Sequence, residues 1–84
     1  MQVTHVVSDN IQAYGYDGVN LYVQFKKTGA IYEYADVGES AYDAFRAAPS
    51  LGSHIHSHIK KQYIARLVSE SASIFDSFVG VAQT

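Results

Sequence analysis

The 84-residue chain contains no cysteine, which excludes a disulfide framework and any metal site built from thiolates. This absence favours a cytosolic chain, because disulfides are typical of oxidising compartments. No apolar run approaches the roughly 20 residues needed to span a bilayer, and the N-terminus lacks the basic and apolar pattern of a signal peptide. We therefore expect a cytoplasmic chain that is neither inserted in a membrane nor secreted.

Signatures of catalysis are also missing. Gly15 and Gly18 precede a strand pattern rather than a helix, so they do not form a glycine-rich phosphate loop, and this argues against nucleotide hydrolysis. No serine lies in a strained-turn motif with a base in triad order. Glu39 and Asp43 lie four residues apart, a spacing that is ordinary on a solvent-facing helix. We predict that the chain is not an enzyme and has no cofactor.

The composition is that of one small globular domain. Hydrophobic residues make up 48% and aromatic residues 13% of the chain, which argues against disorder. The first third alternates apolar and polar residues at period two, and this predicts strands. Asp17-Gly18 and Gly29 suit the turns of two successive hairpins, and residues 3–7 predict a further short strand.

The strand between these two turns is predicted to have a core side and a wetter side. The core side carries Val19, Leu21, Val23 and Phe25, and the wetter side carries Asn20, Tyr22 and Gln24. A two-residue second loop places Tyr32 and Tyr34 on the core side, whereas a three-residue loop turns both to the other face. The core position would leave their hydroxyl groups to reach a partner at the rim.

From Asp36 onward the apolar period changes to about 3.6 residues, which predicts helices. Asp36 or Ser40 can cap a first helix that runs to about Ala48, and Pro49 ends it. A second helix is predicted after the turn at residues 50–53, with an apolar stripe of side chains that can lie on the sheet. The stripe consists of Ile55, Ile59, Tyr63 and Leu67.

Together these patterns predict an α+β domain. Its sheet is a three- or four-stranded antiparallel meander with two helices packed on one face. The domain is placed at residues 1–66 and a short C-terminal extension at residues 67–84. The extension is predicted to form a third, short helix or, alternatively, a tail that packs loosely on the domain. Its apolar residues are Ile74, Phe75, Phe78 and Val79.

The net charge of −2 hides an uneven distribution. No acidic residue lies between Asp43 and Glu70, so the second helix is basic. Clustered cations near exposed aromatic rings are typical of nucleic-acid surfaces that tolerate many sequences, while the alternative is a solvated face without a partner. The predicted polyanion-binding residues are Lys60, Lys61, Arg66, His54, His58, Tyr32 and Tyr34.

The run from His54 to His58 raises a second possibility. On a helix these two histidines lie one turn apart and could offer ring nitrogens to zinc, nickel or copper, with His5 or a carboxylate completing the shell. A zinc site needs three or four protein ligands, and no third ligand is evident in helical geometry. We therefore predict surface histidines that gain charge as the pH falls, and no metal site.

A longer series of residues carries a family resemblance. It comprises Ile11, Gly15-Tyr16-Asp17, Phe25, Gly29, Tyr32-Glu33-Tyr34, Val37, Tyr42, Ala48, Ser50, Gly52, Ile59-Lys60 and Tyr63. This order resembles the KTSC domain, a small bacterial and phage domain named for its occurrence at the C-terminus of some lysyl-tRNA synthetases. The resemblance covers roughly residues 3–66. The chain departs from the family pattern at His54, Ile55 and His56, where an aromatic pair and an asparagine are usual.

The resemblance implies a stand-alone domain without an established activity, for which RNA binding has been suggested. Combined with the basic helix, it predicts a noncatalytic module that binds RNA or another polyanion. The alternative is a protein-interaction domain, with a different protein or a second copy of this chain docking on the apolar C-terminal extension. No membrane partner is expected.

Overall fold

The computed structural model describes residues 3–6 and 10–69 and confirms the α+β class. Its sheet is antiparallel, with each strand paired to the next in the order β1-β2-β3-β4-β5. The strands are β1 Val3–His5, β2 Ile11–Tyr16, β3 Leu21–Phe25, β4 Ile31–Tyr34 and β5 Ala65–Ser69. The sheet therefore has five strands rather than three or four, because short segments pair at both edges.

Both predicted hairpins are present, but the first turn is shifted by one residue. Asp17 N–H donates to Asn20 O at 3.2 Å, so Gly18 and Val19, rather than Asp17 and Gly18, are its central residues. In the β2–β3 turn Gly18 has φ 95°, and Asp17 Oδ1 accepts hydrogen bonds from the backbone N–H groups of Val19 and Asn20 at 2.9 and 2.6 Å. In the β3–β4 turn Gly29 has φ 78°, and its N–H donates to Phe25 O at 2.8 Å. Glycine accepts this left-handed backbone without the steric cost of a Cβ atom, so both turns depend on it.

The register of β3 against β4 settles the position of the tyrosines. Tyr32 lies opposite Val23, and Tyr34 lies opposite Leu21. This is the facing that the two-residue loop predicts, although the connection that forms is longer and runs over residues 26–30. Both tyrosines therefore share the face that carries the main core. That core consists of Ile11, Tyr14, Leu21, Val23, Tyr34, Val37, Phe45, Ile55 and Ile59.

The opposite face of β3 is not the wetter side that the alternation predicts. Tyr22 and Gln24 are 7% and 1% exposed, and Tyr22 forms a second apolar cluster with Ala13 and Ile31. β3 is the middle strand of the sheet, so side chains from strands on both sides cover this face, and Val3 and Val68 pack against the cluster. Val19, predicted on the core side, lies in the turn before β3 and is 51% exposed.

Helix α1 (Glu39–Ala47) begins without either predicted cap. Gly38 is its N-cap residue, with no side-chain hydrogen bond to the first turn. Asp36 instead takes a left-handed conformation with φ 56° in the preceding turn, and Ser40 lies inside the helix. The helix ends before Pro49 as predicted, since the proline ring disfavours helical geometry at the residue that precedes it.

The second helical segment, residues 51–62, is called here the basic helix. It consists of α2 Leu51–His54, a π-helical turn Ile55–Ile59 and α3 Lys60–Gln62. Ser50 caps its start, because Ser50 Oγ accepts from the Ser53 N–H at 3.3 Å. Ile55 and Ile59 are both 1% exposed and pack on the sheet, as the apolar stripe predicts.

The predicted second helix was wrong beyond Tyr63, where the backbone becomes extended. Residues 65–69 form β5 rather than more helix, and Leu67 is 46% exposed. The sheet edge offers this segment hydrogen bonds: Ala35 N–H donates to Ile64 O at 2.9 Å, and β5 then pairs with β4. Leu67 fits a strand pattern as well as a helical one, because Ala65 and Leu67 are apolar residues on either side of the polar Arg66.

β5 runs across the predicted boundary between residues 66 and 67, so residues 67–69 belong to the same sheet as the preceding domain. The predicted third helix, including Ile74, Phe75, Phe78 and Val79, lies outside the described residues. None of the helices in residues 3–6 and 10–69 combines the length and apolar character required to cross a membrane.

Candidate functional site

The predicted binding residues do not form one cluster. Arg66 departs most from its predicted position on the second helix. It lies on β5 opposite Glu33 of β4, and its Nε is 2.7 Å from Glu33 Oε1. Glu33 Oε2 accepts a second short hydrogen bond from the Tyr22 hydroxyl at 2.8 Å. These contacts lie on the face of β4 opposite Tyr32 and Tyr34, because alternate residues of a strand point to opposite faces. The positive charge of Arg66 is thus paired with a carboxylate of the neighbouring strand, although the Arg66 side chain itself is 68% exposed.

We call this group the Glu33 network; its members are Asp17, Asn20, Tyr22, Glu33 and Arg66. The hydrogen bond from Arg66 lowers the pKa of Glu33, against the opposing effect of burial. Burial, followed by the hydrogen bond to Glu33, raises the pKa of Tyr22 to about 12. The network therefore favours a charged carboxylate beside a neutral phenol, which is an arrangement that stabilises structure.

His54 and His58 form a stacked pair on the basic helix. Their ring centroids are 4.5 Å apart and the rings are 10° from parallel. Burial, and secondarily the neighbouring His58, lowers the pKa of His54. Within the described part of the chain, no three histidine or carboxylate side chains converge in a way that could hold a metal ion. The pair borders a shallow hollow of about 280 Å³ that also contains Ala48, Pro49, Ser50, Ser53 and Ser57.

A larger concavity unites three of the predicted residues. This cleft, of about 380 Å³, lies between the β3–β4 hairpin and the basic helix. It brings Tyr32 and Tyr34 of β4 together with Lys60 of α3. Its lining residues are Asn10, Phe25, Lys27, Thr28, Tyr32, Tyr34, Ile55, His56, Lys60 and Ala65.

Two aromatic rings form a corner of the cleft. Phe25 and Tyr32 have their ring centroids 5.7 Å apart at an interplanar angle of 79°. Both residues are half-buried, so part of each ring surface faces the cleft. This edge-to-face geometry is favourable for the pair itself, and it offers a ligand one ring face beside the edge of another.

Three polar side chains of the cleft, those of Lys27, Lys60 and Tyr34, have no partner among the described residues. Lys27 and Lys60 are exposed, and neither forms an ion pair with a carboxylate of the described residues. Tyr34 is 3% exposed, and its hydroxyl makes no hydrogen bond to any residue in the described ranges. Burial raises the pKa of Tyr34 to about 12, so its hydroxyl stays protonated at neutral pH. The cleft can thus offer two ammonium groups and a phenolic donor.

The sequence prediction missed Lys27, Asn10 and His56, which also line the cleft. Lys27 belongs to a lysine pair next to the Gly29 turn, and this was the available signal. Lys61 is exposed on α3 but does not line the cleft.

Asn10 is held at the cleft by close packing on the basic helix. A methyl group on Gly52 would lie 2.7 Å from Asn10 Nδ2 and 2.9 Å from Asn10 Cβ. Glycine at this position therefore allows the chain before β2 to approach α2 closely. The family resemblance includes Gly52, and this contact supplies its physical reason.

Comparisons with known proteins agree with this fold. The family model of the KTSC domain matches residues 7–63. The crystal structure of a KTSC domain protein from Yersinia pestis superposes with a TM-score of 0.74 at 33% sequence identity, covering 81% of this chain and 97% of that one. Comparison with curated proteins gives no match. With its sequence and its fold both matched, the chain belongs to the KTSC domain family.

Proposed function

We propose that this protein is a noncatalytic binding module that holds single-stranded RNA, or a related polyanion, in the cleft and along the adjoining basic helix. We also propose that it acts in the cytoplasm. The observation that carries this proposal is that two lysines and accessible aromatic rings lie together in the cleft. Neither lysine has a carboxylate partner in the described residues. Charge that follows the backbone and rings that stack on bases are the two components of such sites.

The acidic net charge does not oppose this proposal at the cleft itself. Among the described residues that line the cleft none is acidic, whereas two are lysines and one is a histidine. Charges at the surface are screened over about 8 Å at physiological ionic strength. A ligand in the cleft therefore responds mainly to Lys27 and Lys60, and less to carboxylates that do not line the cleft, such as Asp43, which pairs with Arg46.

The proposed contact residues differ from the first prediction. Lys27 joins Lys60, Tyr32 and Tyr34 in the cleft, and Lys61 extends the positive surface along α3. Arg66 is withdrawn, because Glu33 already neutralises it. His54 and His58 border the smaller hollow and would act only on strand that continues beyond the cleft.

Titration of labelled single-stranded RNA at two salt concentrations tests the proposal. Binding should weaken with salt, because each phosphate that is neutralised contributes a slope of roughly 0.7 in log affinity against log salt. The double variant Lys27→Gln/Lys60→Gln should lower affinity about 10- to 100-fold at low salt and reduce the slope by roughly 1.4. The matched control Arg46→Gln/Arg66→Gln removes the same charge from two residues in ion pairs and should change affinity much less.

The absence of binding at low salt would contradict the proposal, as would equal losses in the two double variants. Self-association through the C-terminal extension is the alternative. Near the extension, Ile64 and Leu67 are 81% and 46% exposed, so the described residues already present some apolar surface there. A dimer in light scattering, combined with no RNA binding, would support that alternative.

A further inference from the structure

The size of the cleft limits how many nucleotides it can hold. Its volume of about 380 Å³ lies near the lower end of the roughly 300–1,000 Å³ usual for small-molecule sites. The walls come from the β3–β4 hairpin on one side and the basic helix on the other. A cavity of this size suits one nucleotide better than a run of stacked nucleotides.

The interior of the cleft suits an aromatic base. Phe25 and Tyr32 meet at 79°, so a flat ring that stacks on one of them meets the edge of the other. Stacking of this kind tolerates any base, because every base has a π-face. The corner therefore predicts recognition of a base without a strong sequence preference.

The Tyr34 hydroxyl is the second, independent observation. Tyr34 is 3% exposed, lines the cleft and makes no hydrogen bond to the described residues. Buried polar groups in folded proteins are hydrogen-bonded in the large majority of cases. A base edge carries both acceptors and donors, so it can supply the partner that Tyr34 does not find among residues 3–6 and 10–69.

The two cations are placed for a phosphate. Lys27 extends from the β3–β4 turn and Lys60 from α3, and both are exposed at the cleft. Their positions on separate elements allow them to approach one anion from two sides. An exposed phosphate next to a buried base is the arrangement of a single nucleotide.

From these features, and resting on the proposed function, we infer that the cleft receives one unpaired nucleotide of the RNA strand. Its base lies against Phe25 and Tyr32 with one edge at the Tyr34 hydroxyl, and its phosphate lies at Lys27 and Lys60. A base within a duplex is paired and stacked, so entry would require extrusion at a cost in free energy. The site therefore selects single-stranded over double-stranded RNA.

Four ligands test the inference: a ten-nucleotide strand, the same strand with abasic sites throughout, its duplex, and a free nucleoside monophosphate. The abasic strand keeps every phosphate, so a loss of affinity measures the contribution of the bases. We expect the abasic strand to bind about 5- to 100-fold more weakly than the intact strand, with the salt dependence nearly unchanged. The duplex should also bind more weakly than the intact strand.

The variant Tyr34→Phe removes one hydroxyl and keeps the buried ring. It should lower affinity for the intact strand about 3- to 10-fold and leave affinity for the abasic strand unchanged. Tyr42→Phe, on α1 and outside the cleft, is the matched control and should change neither. An equal loss for both strands in Tyr34→Phe would overturn the base contact.

Equal affinity for the intact and abasic strands would overturn the inference and leave the proposed function standing. Equal affinity for the duplex would overturn it as well. No binding of any strand would contradict the proposed function itself. A nucleoside monophosphate that binds as tightly as the strand would support the nucleotide site and identify a free nucleotide, rather than RNA, as its ligand.

Discussion

The Glu33 network and the cleft lie on opposite faces of β4 and use their charges in opposite ways. On one face Glu33, Tyr22 and Arg66 are joined by contacts of 2.7 and 2.8 Å. On the other face Lys27, Lys60 and the Tyr34 hydroxyl have no partner in the described residues. The positive charge of the sequence thus has a structural part and an available part, and only the three-dimensional pairing distinguishes them.

This difference separates stability from binding. A hydrogen-bonded carboxylate that is only 12% exposed contributes to the folded state, because its partners would otherwise lose their acceptor. An exposed lysine without a partner contributes little to stability and keeps its full charge for a ligand. Variants in the Glu33 network should therefore change the free energy of unfolding, whereas variants of the cleft lysines should change RNA affinity.

The largest effect on stability is expected from Glu33→Ala. It removes the acceptor of two short hydrogen bonds, and we expect a loss of about 1–3 kcal/mol in the free energy of unfolding. RNA affinity should stay within about twofold at a pH where the variant is folded, since Glu33 does not line the cleft. Urea denaturation and RNA titration measure the two quantities. The comparison fails if Glu33→Ala weakens binding as strongly as Lys27→Gln/Lys60→Gln.

Gly52→Ala should have a somewhat smaller effect on stability than Glu33→Ala, and it should change both stability and RNA affinity. The new methyl group meets Asn10 Cβ at 2.9 Å, which costs about 1–3 kcal/mol through overpacking, offset by the higher helix propensity of alanine, about 1 kcal/mol. Because Asn10 lines the cleft, RNA affinity should fall as well. Gly38→Ala is the control, since a methyl group there has no neighbour within 4 Å. Equal unfolding midpoints for the two variants would contradict this account.

The smallest effect concerns the pH dependence of the network. Glu33 has a pKa below its ordinary value of 4.5, so its contribution to stability is present above that value and is lost as the pH falls through the folded-state pKa. Tyr22 has its pKa raised from 10.0 to about 12, so its contribution is present below pH 10 and is lost as the pH rises towards 12. Thermal unfolding across this range should show both declines. In Glu33→Ala the acid decline should be shallower, while Lys27→Gln/Lys60→Gln should keep it.

Features that depend on neighbouring residues were predictable from the sequence. Gly18 and Gly29 specify the two hairpin turns through their left-handed backbone geometry. The turn at Gly29 in turn limits the register, which places Tyr32 and Tyr34 on the core face. Phe45 and Ile59 follow from the helical period, since each is buried on the side that packs against the sheet.

Features that depend on distant residues were not predictable. Arg66 looked like part of a free basic surface, because its partner Glu33 lies thirty-three residues earlier in the chain. Lys27 was not among the predicted binding residues, because the opposite wall of the cleft comes from the basic helix, which is distant in sequence. Leu67 satisfied two periodicities at once, and long-range pairing with β4 selected the strand. In each case the deciding contact was formed by folding rather than by local preference.

β5 has one further consequence, because it serves both faces of β4. Ala65 lines the cleft, and the next residue, Arg66, completes the network. β5 is an edge strand, and strands at an edge open by local unfolding more readily than central ones. Detachment of this one strand therefore breaks the ion pair and opens the cleft in the same event, so the free energy of fraying at β5 sets a common upper limit on the fraction of molecules in which both sites are formed.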